Sequence, residues 1–246
     1  MKDIFSVEGK VIVITGGSGF LGKQYCEFLR GHGATVINWD LGTKVDVINF
    51  SSVKKAANAV VKKFGHIDVL INNAAFNTQV GSGKNENSWA PYEIFSSKLW
   101  SREIDINLKG QMLSTQVVAR YMIQQKFGSI IFIASDLAII GPQNRIYDAG
   151  KFKDIAYITS KAGVLGLMRS WAAYLGSYNI RVNAFVPGGM YRNQPEDFVR
   201  RNSELNMLNR MSKAGEYNGP IVFLASEASS YMTGACLIVD GGRTAW

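Results

Sequence analysis

The stretch Val11-Ile12-Val13-Ile14-Thr15-Gly16-Gly17-Ser18-Gly19-Phe20-Leu21-Gly22 decides how this chain is read. Its apolar and β-branched start, bounded by glycine, describes a short strand buried on both faces. The glycines let the chain turn tightly into a helical pattern that carries Tyr25, Phe28 and Leu29. A helix N-terminus placed there offers unpaired N–H groups and the positive end of a dipole, which suits a phosphate. Gly16 permits the turn, Gly19 lets backbone approach a pyrophosphate, and Gly22 allows close packing of helix on sheet. A βα turn without a ligand would read the same way, so a second signal is needed. Asp40 supplies it, closing the next apolar run eighteen residues beyond Gly22, where a carboxylate can accept hydrogen bonds from both ribose hydroxyls of an adenosine. A 2′-phosphate would meet like charge there, so NAD is expected in preference to NADP.

Outward from this unit, short apolar runs alternate with longer helical patterns, the signature of βαβ units. The strands read are Val11 to Thr15, Thr35 to Trp39, Val45 to Val47, Val69 to Asn72, Ser129 to Ser135, Ile180 to Phe185 and Leu237 to Val239. Helices are expected over 20–30, 51–64, 98–125, 155–176 and 213–225. The expected fold is α/β, a single-domain Rossmann fold over 1–246 with a doubly wound parallel sheet of about seven strands. Its ligand crevice lies at the carboxyl ends of the strands. Three segments are expected there as covers: Gln79 to Ser88, Leu137 to Asp154, and the stretch after Pro187.

Composition narrows the partners. The chain has 246 residues, 47% of them hydrophobic, and a net charge of +8 without a long basic run, so a small anionic substrate is favoured over nucleic acid. The densest arginines, Arg192, Arg200, Arg201 and Arg210, offer either an anion site or a solvated helix face. No leader is read at the start and no apolar run approaches a bilayer span, so no membrane partner is expected and the cytoplasm is the expected location. Cys26 and Cys236 read as buried reduced thiols, and His32 and His66 lack partners at ligand spacing, so no metal is expected. Trp89, Trp100, Trp171 and Tyr191 read as packing residues.

Chemistry enters with Tyr157-Ile158-Thr159-Ser160-Lys161, whose spacing sets phenol and ammonium on one helical face. An ammonium at ~4 Å favours phenolate by ~4 kcal/mol at an effective dielectric near 20, while desolvation opposes it. A phenol brought near working pH would serve as a general acid and base. Ser135, closing a strand, is placed to hold a substrate oxygen.

These motifs occur together with Asn72-Asn73-Ala74-Ala75, Asn107, Pro187-Gly188-Gly189, Thr233-Gly234 and Asp240-Gly241-Gly242. In that order they resemble the short-chain dehydrogenase/reductase family over essentially the whole chain. The resemblance implies hydride transfer between NAD(P) and a carbonyl or secondary alcohol. It assigns a catalytic tetrad of Asn107, Ser135, Tyr157 and Lys161: Tyr157 as acid/base, Lys161 on the phenol and the nicotinamide ribose, Ser135 on the substrate, and Asn107 in a water-linked proton relay. Cofactor contacts are implied for Gly16, Ser18, Gly19, Phe20, Leu21, Asp40, Asp46, Val47, Asn73, Ala74, Ala75, Tyr157, Lys161, Pro187, Gly188 and Met190, with Asn72 stabilising the sheet. A homotetramer or homodimer pairing the helices at 98–125 and 155–176 is implied by the same analogy.

The sequence also departs from the family's pattern. The glycine turn has the spacing of its longer members. The five residues between Asp40 and Asp46 leave no room for the usual crossover helix. The segment between Ser135 and Tyr157 is long, with Arg145, Tyr147, Lys151 and Lys153 as expected cover residues, and Arg192 replaces a threonine common after the Pro-Gly pair. The basic insertion resembles members from bacterial surface-sugar biosynthesis, including flagellin glycosylation, and implies a phosphorylated or nucleotide-linked sugar. A catalytically idle dinucleotide-binding regulator or scaffold of the same fold is the rival reading.

Overall fold

The computed structural model describes residues 3–83 and 86–246; Lys84 and Asn85 of the expected 79–88 cover, and Met1 and Lys2, lie outside them. The strands are β1 (Val11–Thr15), β2 (Thr35–Trp39), β3 (Val69–Asn72), β4 (Gly128–Ile133), β5 (Ile180–Pro187) and β6 (Cys236–Val239). They form one parallel sheet in the order β2-β1-β3-β4-β5-β6. The helices are α1 (Phe20–Gly31), α2 (Phe50–Phe64), α3 (Ser97–Ile104), α4 (Gly110–Gln125), α5 (Ile155–Leu175), α6 (Glu196–Ser203) and α7 (Asn218–Ala225).

Period-2 alternation distributes the strand side chains between two cores. Val11 and Val13 join Leu70, Phe132 and Val182 beneath α2, α4 and α5. Ile12 and Ile14 join Ile71, Ile131 and Phe185 on the face covered by α1 and α7. A fully buried side chain of this size contributes ~1.5–3 kcal/mol, so these two layers hold the sheet against any surface pairing. The chain order reverses between β1 and β3, and the crevice expected of a doubly wound sheet opens there.

The expected seventh strand, Val45 to Val47, does not form. A parallel strand needs a crossover of a dozen or more residues, and none fits between Trp39 and Val45. Instead Asp40 caps a single 3-10 turn, Leu41–Thr43; its carboxylate accepts from Gly42 N at 3.1 Å, and Thr43 Oγ1 accepts from Asp40 N at 2.9 Å. Lys44 adopts a left-handed conformation (φ 63°), and Asp46 then accepts from Ile48 N at 3.1 Å before α2 begins.

The helix expected over 98–125 is split by a π turn at Asp105–Lys109, and the late one begins only at Asn218, after Gly215 turns with φ +87°. α6 lies in a stretch where no helix was expected; Pro195 starts it and Glu196 and Asp197 fill its first turn, a favourable dipole arrangement. Cys26 is buried and free, whereas Cys236 is free but only half-buried.

Candidate active site

A cavity of about 880 Å³ lies outside the carboxyl ends of β1, β3, β4 and β5. Its dinucleotide half is made largely of backbone. Gly16 turns with φ +65°, and a Cβ there would stand 2.7 Å from Ala74 Cα, so only glycine fits. Asn73 ties the two strand ends together: its Nδ2 donates to the carbonyls of Thr15 (3.1 Å) and Gly16 (3.0 Å), while Thr15 Oγ1 accepts from the amides of Asn73 and Ala74, each at 3.0 Å. Gly19 caps α1 without a side-chain bond, and the first turn carries no acidic residue, so its amides stay open to an anion. This cradle fits a dinucleotide pyrophosphate.

Gly16, Gly19, Phe20, Leu21, Asp40, Asp46, Val47, Asn73, Ala74, Ala75, Pro187, Gly188 and Met190 all line the cavity. Asp46 and Val47 reach its wall from a loop, despite the missing strand. Ser18 does not line it; its Oγ accepts from Asn38 Nδ2 at 2.9 Å and its amide donates to Asp40 Oδ2 at 3.3 Å, so it braces Asp40. Asn72 is buried, donating to Thr115 Oγ1 at 2.9 Å.

The reaction half gathers side chains from distant segments. Ser135, Tyr157 and Lys161 share the cavity wall. Ser135 sits two residues past the end of β4, where the strand was expected to run on; its Oγ donates to Asp136 Oδ1 at 2.7 Å. Asp154 caps α5, accepting from the amides of Ala156 (2.9 Å) and Tyr157 (3.1 Å), and so fixes the turn that carries the phenol. Asn107 is fully buried in the π turn and is not on the wall. Its Oδ1 accepts from Phe76 N at 2.6 Å and its Nδ2 donates to Phe76 O (3.0 Å) and Ser160 Oγ (3.2 Å), bracing the loop after β3 against α5.

The ionisation balance differs from the sequence expectation. Lys161 Nζ lies 5.7 Å from the Tyr157 ring centroid and donates to Ile133 O at 2.7 Å. Burial pushes Tyr157 up to about 12, with the Ser135 hydrogen bond opposing, so desolvation outweighs cationic attraction in the free protein. Burial also brings Lys161 down to about 7, helped by the charge of Lys153.

Lys153, from the insertion, is the unexpected neighbour: its Nζ is 4.2 Å from the Tyr157 ring centroid and 5.5 Å from that of Trp89, and donates to Asn77 Oδ1 at 2.8 Å. Burial draws it down to about 8, partly offset by Asp154 and Glu103. Glu103, buried behind it in α3, is raised by its own burial and by Asp154. Arg243, near the C-terminus, pairs with Asp136 at 3.1 Å, both almost fully buried. Lys153 was named only as part of a cover and Arg243 and Asp136 not at all; each lies within four residues of a quoted motif, but the Arg243–Asp136 pair joins segments more than a hundred residues apart, which no local spacing reveals. Trp89 packs on Tyr147 in the cavity wall, their centroids 5.3 Å apart, so it serves packing and lining together.

Of the four late arginines, only Arg192 faces the cavity. Arg200 pairs with Asp197 (2.6 Å) and Glu204 (2.9 Å), Arg201 with Asp148 (3.3 Å) and Asp197 (2.7 Å), and Arg210 with Glu216 (2.7 Å), which makes these three a paired surface. The insertion lines the cavity with Ile146, Tyr147 and Lys153 and is clasped to α6 by Arg201 Nη1 donating to Tyr147 O at 3.1 Å; Arg145 and Lys151 do not reach the wall. Among the described residues, no acidic, histidine and cysteine cluster could hold a metal, and no helix is long and apolar enough to cross a membrane.

Comparison with known proteins agrees with this architecture. Residues 4–244 match the family model described as enoyl-(acyl carrier protein) reductase. The chain is 34% identical over 260 residues to 3-oxoacyl-acyl-carrier-protein reductase FabG of Thermotoga maritima, covering 96% of this chain and 98% of that protein. It is 32% identical over 266 residues to 2-dehydro-3-deoxy-D-gluconate 5-dehydrogenase of Escherichia coli, covering 97% and 96%. The solved short-chain dehydrogenase of Leptospira borgpetersenii with bound NAD+ superposes with a TM-score of 0.88 at 26% identity, covering 99% and 96% of the two chains. A cradle shaped for a dinucleotide, a tyrosine and lysine on one wall, and relatives matched from end to end leave one conclusion: the chain belongs to the short-chain dehydrogenase/reductase family of NAD(P)-dependent oxidoreductases.

Proposed function

We propose that the protein uses NAD(H) to interconvert a carbonyl and a secondary alcohol on an anionic, sugar-derived substrate, with Tyr157 as acid/base. The observation that carries this reading is the positive charge beside the phenol: Lys153 at 4.2 Å from its ring and Arg192 in the same cavity, while Arg243 is balanced by Asp136. Buried cations in excess of nearby carboxylates favour an anion that restores the balance.

When bound, the nicotinamide supplies the hydride acceptor or donor. Ser135 orients the substrate oxygen, and Tyr157 passes a proton to or from it. The phenol is held protonated in the free protein, the form needed to donate during carbonyl reduction. Lys161 holds the nicotinamide ribose and steadies the phenol, and Asn107 keeps the turns beneath them in place. Asp40 supports NAD over NADP through its carboxylate at the ribose end. A twofold pairing of α4 and α5 in a homodimer or homotetramer completes the reading, with sedimentation velocity as its check.

Sugar acids, sugar phosphates and nucleotide-linked sugars share the required charge, and the E. coli relative is named for a sugar acid. An acyl-carrier thioester is the second reading, favoured by the Thermotoga relative. A thermal-shift panel of gluconate, sugar phosphates, nucleotide sugars and acyl thioesters in saturating NAD separates them, because occupancy of the native site stabilises the fold. Stabilisation and turnover with anionic sugars alone are expected; turnover confined to uncharged ketones rejects the substrate class. Tyr157→Phe should lower turnover by ~10²–10⁴-fold with NADH affinity unchanged. Full turnover in that variant would remove Tyr157 from its role, and a wild type without turnover would favour the idle regulator.

A further inference from the structure

Arg192 leaves β5 on a stapled segment. Met190 bridges to Ser212, and Tyr191 N donates to Ser212 O at 3.0 Å. The Arg192 amide donates to Gln194 Oε1 at 2.6 Å, and its carbonyl accepts from Gln79 Nε2 at 2.8 Å. Gln194 Nε2 returns to Met190 O at 2.9 Å. With the backbone pinned from two sides, the direction of the side chain is set by the fold.

That direction is back toward the glycine turn. The guanidinium carbon lies 5.3 Å from the ring centroid of Phe20, the first residue of α1. Burial works against its charge, yet no carboxylate pairs with it among the described residues, whereas Arg200, Arg201 and Arg210 each have one. Beneath Phe20, the α1 amides lack a side-chain cap and an acidic neighbour. An uncompensated guanidinium and an uncompensated helix end therefore face one space, and both call for the same kind of ligand. The planar fork of arginine pairs with phosphate oxygens two at a time, which an ammonium cannot do.

We propose that Arg192 binds the cofactor pyrophosphate, its guanidinium adding charge-assisted hydrogen bonds to those offered by the α1 amides. This role rests on the dinucleotide reading above and deepens it. It takes Arg192 out of the substrate's cationic surround and leaves Lys153 to the substrate, since Arg243 is paired with Asp136. It also gives the Gln79 and Gln194 bonds a purpose, since a clamp holds a charged ligand best when its backbone does not move.

The test is calorimetric titration of the full chain with NADH, ADP-ribose and adenosine, for wild type, Arg192→Gln and Arg192→Lys. Arg192→Gln should weaken NADH and ADP-ribose alike, by about ten- to a hundredfold, and leave adenosine unchanged. Arg192→Lys should recover part of the loss, and NADH binding by Arg192→Gln should depend less on salt than that of wild type. Unfolding midpoints near wild type in both variants would show that the fold is intact, and the lysine variant carries the comparison should the glutamine variant unfold. Unchanged NADH affinity with a raised KM for gluconate would overturn the proposal and hand Arg192 to the substrate. A loss for NADH but not for ADP-ribose would also overturn it, placing the guanidinium on the nicotinamide. Wild type that bound neither NADH nor ADP-ribose would fail the dinucleotide reading itself, a result distinct from either of these.

Discussion

The two halves of the cavity are built by different means. The dinucleotide half uses backbone: glycines at a strand end, open amides at α1, and strand ends laced by Asn73 and Thr15. The reaction half uses long side chains, with Lys153 and Lys161 buried in its wall, Tyr157 half-buried between them and Glu103 buried in α3. Backbone donors bring partial charge that needs little desolvation, so that half binds a common ligand without electrostatic conflict. Buried ammonium groups bring conflict that is relieved by losing a proton or by gaining an anion, and the proposed substrate class rests on the second.

That contrast can be broken or sharpened by experiment. The largest effect is expected at Lys153: Lys153→Met should lower kcat/KM for gluconate or a sugar phosphate by about ten- to a hundredfold, while NADH affinity holds. The wild-type value should fall as pH rises through about 8, where Lys153 gives up the proton that binds the anion, and the variant should lose that limb. An equal loss for neutral and anionic substrates would deny Lys153 its selectivity.

Next comes Asp40, in the other half. Asp40→Asn should narrow the preference for NAD over NADP by about tenfold, read as a ratio of dissociation constants, with substrate KM unaltered. A ratio that stays constant would assign Asp40 to capping the 41–43 turn alone.

A smaller effect tests the conflict itself. Glu103 is raised to about 9 by burial and by Asp154, so the folded chain keeps a proton that the unfolded chain releases above its ordinary carboxyl pKa. Folded stability from this group therefore declines as pH rises from about 5 to 9, by up to about 1.4 kcal/mol per pH unit. Glu103→Gln should flatten that decline in urea unfolding measured at pH 6, 7 and 8, and an unchanged slope would show that Glu103 is ionised in the fold. Smallest of all, Arg210→Gln removes an exposed pair with Glu216 and a bond to Met211 O, and should leave both the urea midpoint and kcat/KM close to wild type. A loss of activity would return the late arginines to the substrate.

What was legible followed from how locally each feature is encoded. The glycine turn, the strand at Val11 to Thr15 and the phenol-lysine pair each lie within a few residues, and spacing alone sets their geometry. The strand at Val45 to Val47 was misread because its apolar residues mark burial, while the crossover that a parallel partner requires is absent. Asn107 was read from the resemblance alone; that a π turn carries it and seats its side-chain amide on Phe76 and Ser160 is a matter of packing that no local spacing describes. The four late arginines looked alike in sequence, and only packing separates Arg192 from the three that find carboxylates.

Six of the seven expected strands, the cradle and the spacing of Tyr157 and Lys161 were written in the chain, because apolar runs, glycine and helical periodicity act over short distances. Packing between distant segments brought Lys153 and Arg243 into the same cavity as that phenol, and let burial raise it against the Ser135 hydrogen bond and the Arg192 charge. Solvent exclusion depends on everything packed around a group, and no stretch of chain specifies that alone.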